Sequence, residues 1–200
     1  MNEKNTDNQI PKDYLRITQL LSVFTDFSHI EPAVLARAAD RGTRVHQLCE
    51  SYVKSKSLHA SDFVIDSADS DCKPYLLSFV EWFESMVEKV VYTELRINDE
   101  RLKLSGQCDL IAVLKGDTAP TIIDIKTPQQ TQKSWQLQTA AYRLLAERKI
   151  GLELEGKELR RITLILDKYG GKARVTEYTD GKGDIQKFLN LLELYRFFNE

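Results

Sequence analysis

Three charged residues stand inside runs that are otherwise fit for buried strands. Residues Gly106–Lys126 read GQCDLIAVLKGDTAPTIIDIK, two apolar segments joined by the polar turn LKGDTAP. The first segment carries Asp109; the second carries Asp124 and Lys126 on either side of Ile125. Strand side chains alternate, so Asp124 and Lys126 share one face while Ile123 and Ile125 share the other. An unpaired buried charge is expensive, so these charges need partners. Two carboxylates and an ammonium on one hairpin suit a hard divalent cation, since Mg²⁺ takes one or two carboxylates together with water and substrate phosphate. The Ile125 carbonyl would be a third oxygen, and Lys126 would orient an attacking water or stabilise charge on a phosphate. The plain alternative is a charged surface strand, because about one Asp/Glu-x-Lys triplet is expected by chance in a chain of this length. Context favours the site: the triplet lies in an apolar strand, follows Gly-x-x-Asp and precedes a helix with a polar face.

Further candidates flank the hairpin. His46 and Glu50 in RGTRVHQLCE are four apart, hence on one helical face, and either place an imidazole beside the cation or form an exposed polar pair. Glu94 in VYTELRI is an alternative acid, or the partner of Arg96 in a surface pair. In WQLQTAAYRLLAERK, Leu137, Ala141, Leu144 and Leu145 form a core stripe, with Trp135, Gln138 and Tyr142 together on the adjoining face. An amide and a phenol one turn apart suit hydrogen bonding and stacking on a nucleic-acid strand, but also ordinary boundary packing. Arg37, Arg41, Arg44, Lys133, Arg143, Arg148 and Lys149 line a local groove or sit on solvated helix faces. No glycine-rich phosphate loop is present, since KYGGK lies between two strands with no helix behind it.

The elements that must position these residues follow from periodicity. Residues 1–13 are expected to be a flexible arm and residues 14–200 a single domain. Helices are expected over Ile17–Phe27, over one or two segments of 28–56 with a junction at Gly42, and over Tyr75–Val90. Ala33, Leu35, Ala36 and Ala39 form an apolar stripe, and Leu58–Cys72 is expected to be a polar connector. Strands follow at Val91–Ile97, Leu102–Leu114 and Thr121–Thr127, where Pro128 stops the ladder. A helix over Trp135–Lys149, a hairpin of Arg161–Asp167 with Arg174–Thr179, and a helix over Asp184–Phe198 complete the chain. This is an α/β fold: a mixed sheet of about five strands flanked by helices, with an antiparallel meander and one parallel crossover.

Bulk composition excludes some partners. The net charge of −2 carries no global nucleic-acid signature, though a local basic groove remains compatible. No apolar run approaches the ~20 residues of a membrane span, and the polar start lacks the apolar core of a signal peptide, so a cytoplasmic protein is expected. Cys49, Cys72 and Cys108 are far apart and odd in number, forming neither a disulfide framework nor a thiolate cluster.

The ordered set GQCD, IIDIKT and QLQTAAY, preceded by RGTRVHQLCE, resembles the PD-(D/E)XK nuclease superfamily in its RecB-type branch. That branch is marked by an early helical His, a Gly-x-x-Asp, a D/E-x-K strand and a Gln-x-x-x-Tyr helix, matched here by His46, Asp109, Asp124-Ile125-Lys126 and Gln138 with Tyr142. ITQLLS and ITLILDKYGGKARVTEY are similar to segments of the mitochondrial genome-maintenance exonuclease and of small phage and bacterial exonucleases, so the likeness spans most of residues 14–198. The resemblance implies the restriction-endonuclease-like core and metal-dependent hydrolysis of DNA phosphodiesters from free ends, with a preference for single strands, in phage or bacterial recombination, replication or repair. Asp109, Asp124 and the Ile125 carbonyl would hold Mg²⁺, or Mn²⁺ in its place, with His46 as a further ligand. Lys126 would position the water, Glu50 would match the family's early-helix acid with Glu94 as the alternative, and Gln138, Tyr142, Trp135, Arg41 and Arg44 would hold DNA. Iron–sulfur cysteines of some relatives are missing, so no cluster is expected. The chain carries no helicase segment, so a helicase, recombination or single-strand-binding partner would supply unwinding, and an oligomer is compatible with the sequence. The alternatives on the same fold are a structure-specific endonuclease and an inactive DNA-end-binding module.

Overall fold

The computed structural model describes residues 13–56, 61–128, 131–151, 154 and 156–199. The arm expected over residues 1–13 lies, Asp13 apart, outside them. Element order is β1 (Leu15–Arg16), α1 (Ile17–Leu21), a 3-10 turn (Ser22–Phe24), α2 (Pro32–Lys56), α3 (Ser61–Ser67), α4 (Lys73–Met86), β2 (Val87–Asp99), β3 (Leu104–Leu114), β4 (Pro120–Lys126), α5 (Ser134–Ile150), β5 (Arg160–Ile165), β6 (Arg174–Glu177) and α6 (Gly181–Asn199).

The sheet has six strands. β2, β3 and β4 form the expected antiparallel meander, and β5 lies parallel to β4 after the α5 crossover. Two apolar clusters cover its two faces. Val45, Tyr52, Phe79 and Phe83 of α2 and α4 pack with Leu110, Ile123 and Ile125; Ile17 and Leu20 of α1, Tyr142 and Leu145 of α5 and Phe188 of α6 pack with Ile111 and Ile122. The alternation of Ile122, Ile123 and Ile125 between the clusters is the period-two pattern expected of β4.

One irregularity organises the molecule. β2 runs along one edge of β3 from Leu104 to Leu114. The other edge is shared by β1, which pairs only Leu104 and Ser105, and β4, which pairs only Leu110 to Val113. Between them, Gly106 to Asp109 have no strand neighbour on that side, and β3 and β4 diverge into a fork.

Several expectations are corrected. α2 is one helix that runs through Gly42, from Pro32 to Lys56. The apolar stripe of its first half is left largely in solvent, with Ala33, Ala36 and Ala39 exposed, since small side chains offer little area to bury. The connector over 58–72 contains α3. Helix α4 ends at Met86 rather than Val90, since Val87, Lys89 and Val90 pair with β3. α5 is buried on most of its circumference, not along one stripe, being wedged between the sheet and α6.

Candidate active site

Asp109 closes the fork. Its Oδ2 accepts the Ile125 amide proton at 2.7 Å, where a ladder bond from β3 would otherwise have gone, and its Oδ1 lies 3.1 Å from His46 Nδ1 on α2. Against burial, which would raise it, the charges of His46 and Lys126 and the Ile125 amide hold Asp109 below the usual carboxylate range. In return the Asp109 charge lifts His46 to about 9.

Asp124 and Lys126 share the α5 face of β4, as alternation requires. Asp124 is 2% exposed, and its Oδ2 lies 2.8 Å from Lys126 Nζ yet has no hydrogen-bond partner of good geometry. Burial pushes this carboxyl up to about 6 despite Lys126, with Asp109 adding to the rise. Lys126 is aimed by α5: Nζ donates to Gln138 Oε1 at 3.1 Å and lies 5.7 Å from the Trp135 ring centroid. Gln138 Nε2 in turn donates to Tyr142 Oη at 2.8 Å.

Gln138, Tyr142 and Trp135 are all buried, so the structure turns them inward onto Lys126 and the core rather than outward as a strand-holding face. Their spacing had marked them; their direction depends on α5 being covered on both sides. Gly106 makes this possible, since a Cβ there would lie 2.8 Å from Ile17 Cδ1 and 3.0 Å from Tyr142 Cε1.

Of the two alternative acids, Glu94 joins the group. Ligand atoms of His46, Glu94 and Asp109 all lie within 4.8 Å of one another. Glu94 holds φ at +51°, a left-handed conformation unusual for a non-glycine residue and costly in mid-strand. Its carboxylate accepts a hydrogen bond from Gln107 Nε2, while burial and the Asp109 charge push it up to about 7. Glu50, one turn beyond His46, is ion-paired with Lys54 and contributes only its field at Glu94. Sequence reasoning missed Gln107, and also Thr163, which pairs with Asp124 across β4 and β5 and shares a 3.2 Å hydrogen bond with Tyr178.

The expected basic residues are largely committed to acids. Arg44 binds Asp40, Asp69 and Asp71 at 2.9, 2.6 and 3.4 Å, and Arg41 lies 3.8 Å from Asp71 with its guanidinium over Tyr75. Arg143 pairs with Glu147 and Glu158, Arg148 with Asp99, and Lys149 donates to the Arg96 carbonyl.

The donor set fits a hard divalent cation. Burial raises the Asp124 and Glu94 carboxyls, and the ligand atoms that gather within 4.8 Å, on His46, Glu94 and Asp109, are two carboxylates and one imidazole, with Asp124 on the neighbouring strand outside that group. No helix among the described residues is long and apolar enough to cross a membrane.

Comparison with known proteins agrees with this geometry. No curated protein matches the sequence. Among solved structures, a candidate exonuclease from Eubacterium rectale superposes with a TM-score of 0.52 at 12% identity, covering 96% of this chain and 84% of its own, a likeness of fold. The protein SSO0001 matches at a TM-score of 0.34 and 16% identity over 92% and 77% of the two chains, too distant to bear on the fold. The family model of the PD-(D/E)XK nuclease superfamily matches residues 16–194, and the chain belongs to that superfamily.

Proposed function

We propose that the protein is a divalent-cation-dependent DNA exonuclease of the RecB type, hydrolysing phosphodiester bonds from free ends in recombination, replication or repair. The observation that carries the proposal is the fork: Asp109 bridges the Ile125 amide and His46, while Asp124 leaves a buried oxygen without a hydrogen bond beside Lys126. Asp109, Asp124 and the Ile125 carbonyl would hold Mg²⁺ or Mn²⁺, with Glu94 and His46 as the further donors. Glu94 takes the place first given to Glu50. When bound, the cation supplies positive charge to the scissile phosphate and a more acidic water.

The chain's own residues do the rest. Lys126, fixed by Gln138 and Trp135, orients the attacking water and neutralises charge developing on the phosphate. Tyr142, whose phenol burial keeps protonated, fixes the Gln138 amide so that its oxygen faces Lys126. Arg41 and Arg44 shape the α2 wall through their acidic partners and are given no phosphate contact. The products would carry 5′-phosphate and 3′-hydroxyl ends.

End-labelled linear DNA and covalently closed circles, each with Mg²⁺ or Mn²⁺, test the reading. Linear DNA should be degraded and closed circles spared, with Asp124→Ala and Lys126→Ala each lowering the rate by about 10³-fold or more while remaining folded. Cleavage of closed circles would instead indicate the structure-specific endonuclease. Binding to ends without turnover in either metal would indicate an end-binding module, and both outcomes would overturn the exonuclease.

A further inference from the structure

The hairpin between β5 and β6 combines an exposed aromatic with cationic residues. Lys168–Arg174 reads KYGGKAR, three cationic residues and no acid in a chain of net charge −2. Tyr169 at its tip is 81% exposed, with Lys168 Nζ 4.9 Å from its ring centroid on one face. An aromatic ring so exposed usually has a partner at hand or a ligand to meet.

The tip is also held firmly. Asp167 Oδ1 accepts from the amides of Tyr169 at 2.8 Å and Gly171 at 3.1 Å, and the Asp167 amide donates to Ser78 Oγ at 2.9 Å. Gly170 takes φ +81° above Pro74 at the start of α4, a turn that a side chain would strain. The acid that would oppose the lysines is thus occupied within the turn.

Position ties the hairpin to the fork. β5 runs parallel to β4, pairing Ile165 with Lys126, and the Leu166 amide donates to the Lys126 carbonyl at 2.9 Å. Tyr169 follows three residues later, so its Cα lies within about 11 Å of Leu166 at full extension. The same rim continues through Gly170 against Pro74, Tyr75 under Arg41, and Gly42 beside Thr127.

We propose that residues 168–172 form a stacking post for single-stranded DNA, with a base on the free face of Tyr169 and the backbone on Lys168 and Lys172 as the strand enters the fork. The inference rests on the nuclease reading and adds the residues that would receive a single strand. Stacking on an aromatic ring is tolerant of base identity, as a nuclease without a recognition sequence requires.

The test is fluorescence anisotropy with a labelled oligo-dT and a blunt duplex of equal length, in EDTA so that binding is read without turnover. Tyr169→Ala should weaken oligo-dT binding about tenfold and leave duplex binding unchanged, while Tyr169→Phe should bind like the wild type. Lys168→Ala with Lys172→Ala should reduce the slope of log affinity against log salt by about 1.4. Thermal melts of each variant should match the wild type, since every changed side chain is exposed. Wild-type affinity for oligo-dT in Tyr169→Ala, or equal losses on single strand and duplex, overturns the stacking post while leaving the nuclease standing. A wild type that neither binds oligo-dT nor cleaves DNA with Mg²⁺ overturns both.

Discussion

A cation bound at the proposed site would displace protons, and the number displaced would identify its ligands. In the cation-free protein Asp124 titrates at about 6, Glu94 at about 7 and His46 at about 9. Only the deprotonated forms bind a cation. Between pH 6 and pH 8 the ionised fraction of Asp124 rises about twofold and that of Glu94 about tenfold, while neutral His46 rises about 90-fold. Apparent affinity should therefore increase about 20-fold if His46 stays paired with Asp109, and about 2,000-fold if His46 is a ligand. At pH 7 binding should release about 0.6 proton in the first case and about 1.6 in the second. Calorimetric titration of Mn²⁺ in two buffers of different ionisation enthalpy measures the protons directly, and Glu94→Gln should remove about half a proton. The signs for stability agree. A raised Asp124 favours the folded state at low pH, and that contribution is lost as pH rises from about 4 to about 6. The raised His46 contributes stability that is complete below its unfolded value near 6.5 and is lost as pH passes through about 9. An affinity independent of pH, or proton uptake on binding, would refute the reasoning.

The remaining predictions concern stability. Asp109→Ala should cost about 1–3 kcal/mol by orphaning the Ile125 amide, and Asp124→Ala should also destabilise, because it leaves the Lys126 ammonium without the carboxylate that lies 2.8 Å from it; urea titrations in EDTA compare them. Arg161 and Asp184 are both fully buried and 2.7 Å apart, so Asp184→Ala should cost about 3–5 kcal/mol and Arg161→Met with Asp184→Leu should recover most of it. Against burial, the bonds from Arg161, Gln136 and Lys187 hold Asp184 low, so its contribution is present above about pH 4 and lost below it; Asp184→Asn should flatten that acid limb of the melting curve. Gly106→Ala should cost about 1–3 kcal/mol by driving a methyl against Ile17 and Tyr142, with activity falling further than stability if Tyr142 moves Gln138.

What the sequence made legible was whatever depends on local period. The alternation of Ile122, Ile123 and Ile125 placed Asp124 and Lys126 on one face, and charges in apolar strands marked the site. The end of α4 was not legible, because Leu76, Phe79, Val80, Phe83 and Val87 keep helical spacing even though Val87 pairs with Leu114. Period cannot register a cross-strand partner. That Glu94 rather than Glu50 lies beside His46 and Asp109 was not legible for a related reason. Thr93 faces Leu110 and Leu95 faces Cys108, which puts Glu94 opposite Asp109, but that register is set by irregularities at Val87–Lys89 and Val90–Tyr92 that no composition rule foresees. The inward turn of Gln138 and Tyr142 required knowing that α6 covers the back of α5.

The fork explains why chemistry and folding share residues here. A strand edge left unpaired inside a domain must find donors and acceptors elsewhere. Asp109 supplies one acceptor, to Ile125, and Gly106 lets Ile17 and Tyr142 fill the space a neighbouring strand would have occupied. The cost of interrupting the ladder is thus met by side chains, and side chains, unlike ladder bonds, leave functional atoms over. Asp109 retains its second oxygen toward His46, and Tyr142 retains its hydroxyl for Gln138 and hence for Lys126. Across the fork Glu94 holds an unfavourable backbone angle that brings its carboxylate to the same place. A continuous ladder between β3 and β4 would satisfy the same backbone groups and leave no opening for a phosphate. On the proposed reading, the break in pairing is what would let this acidic floor meet a substrate.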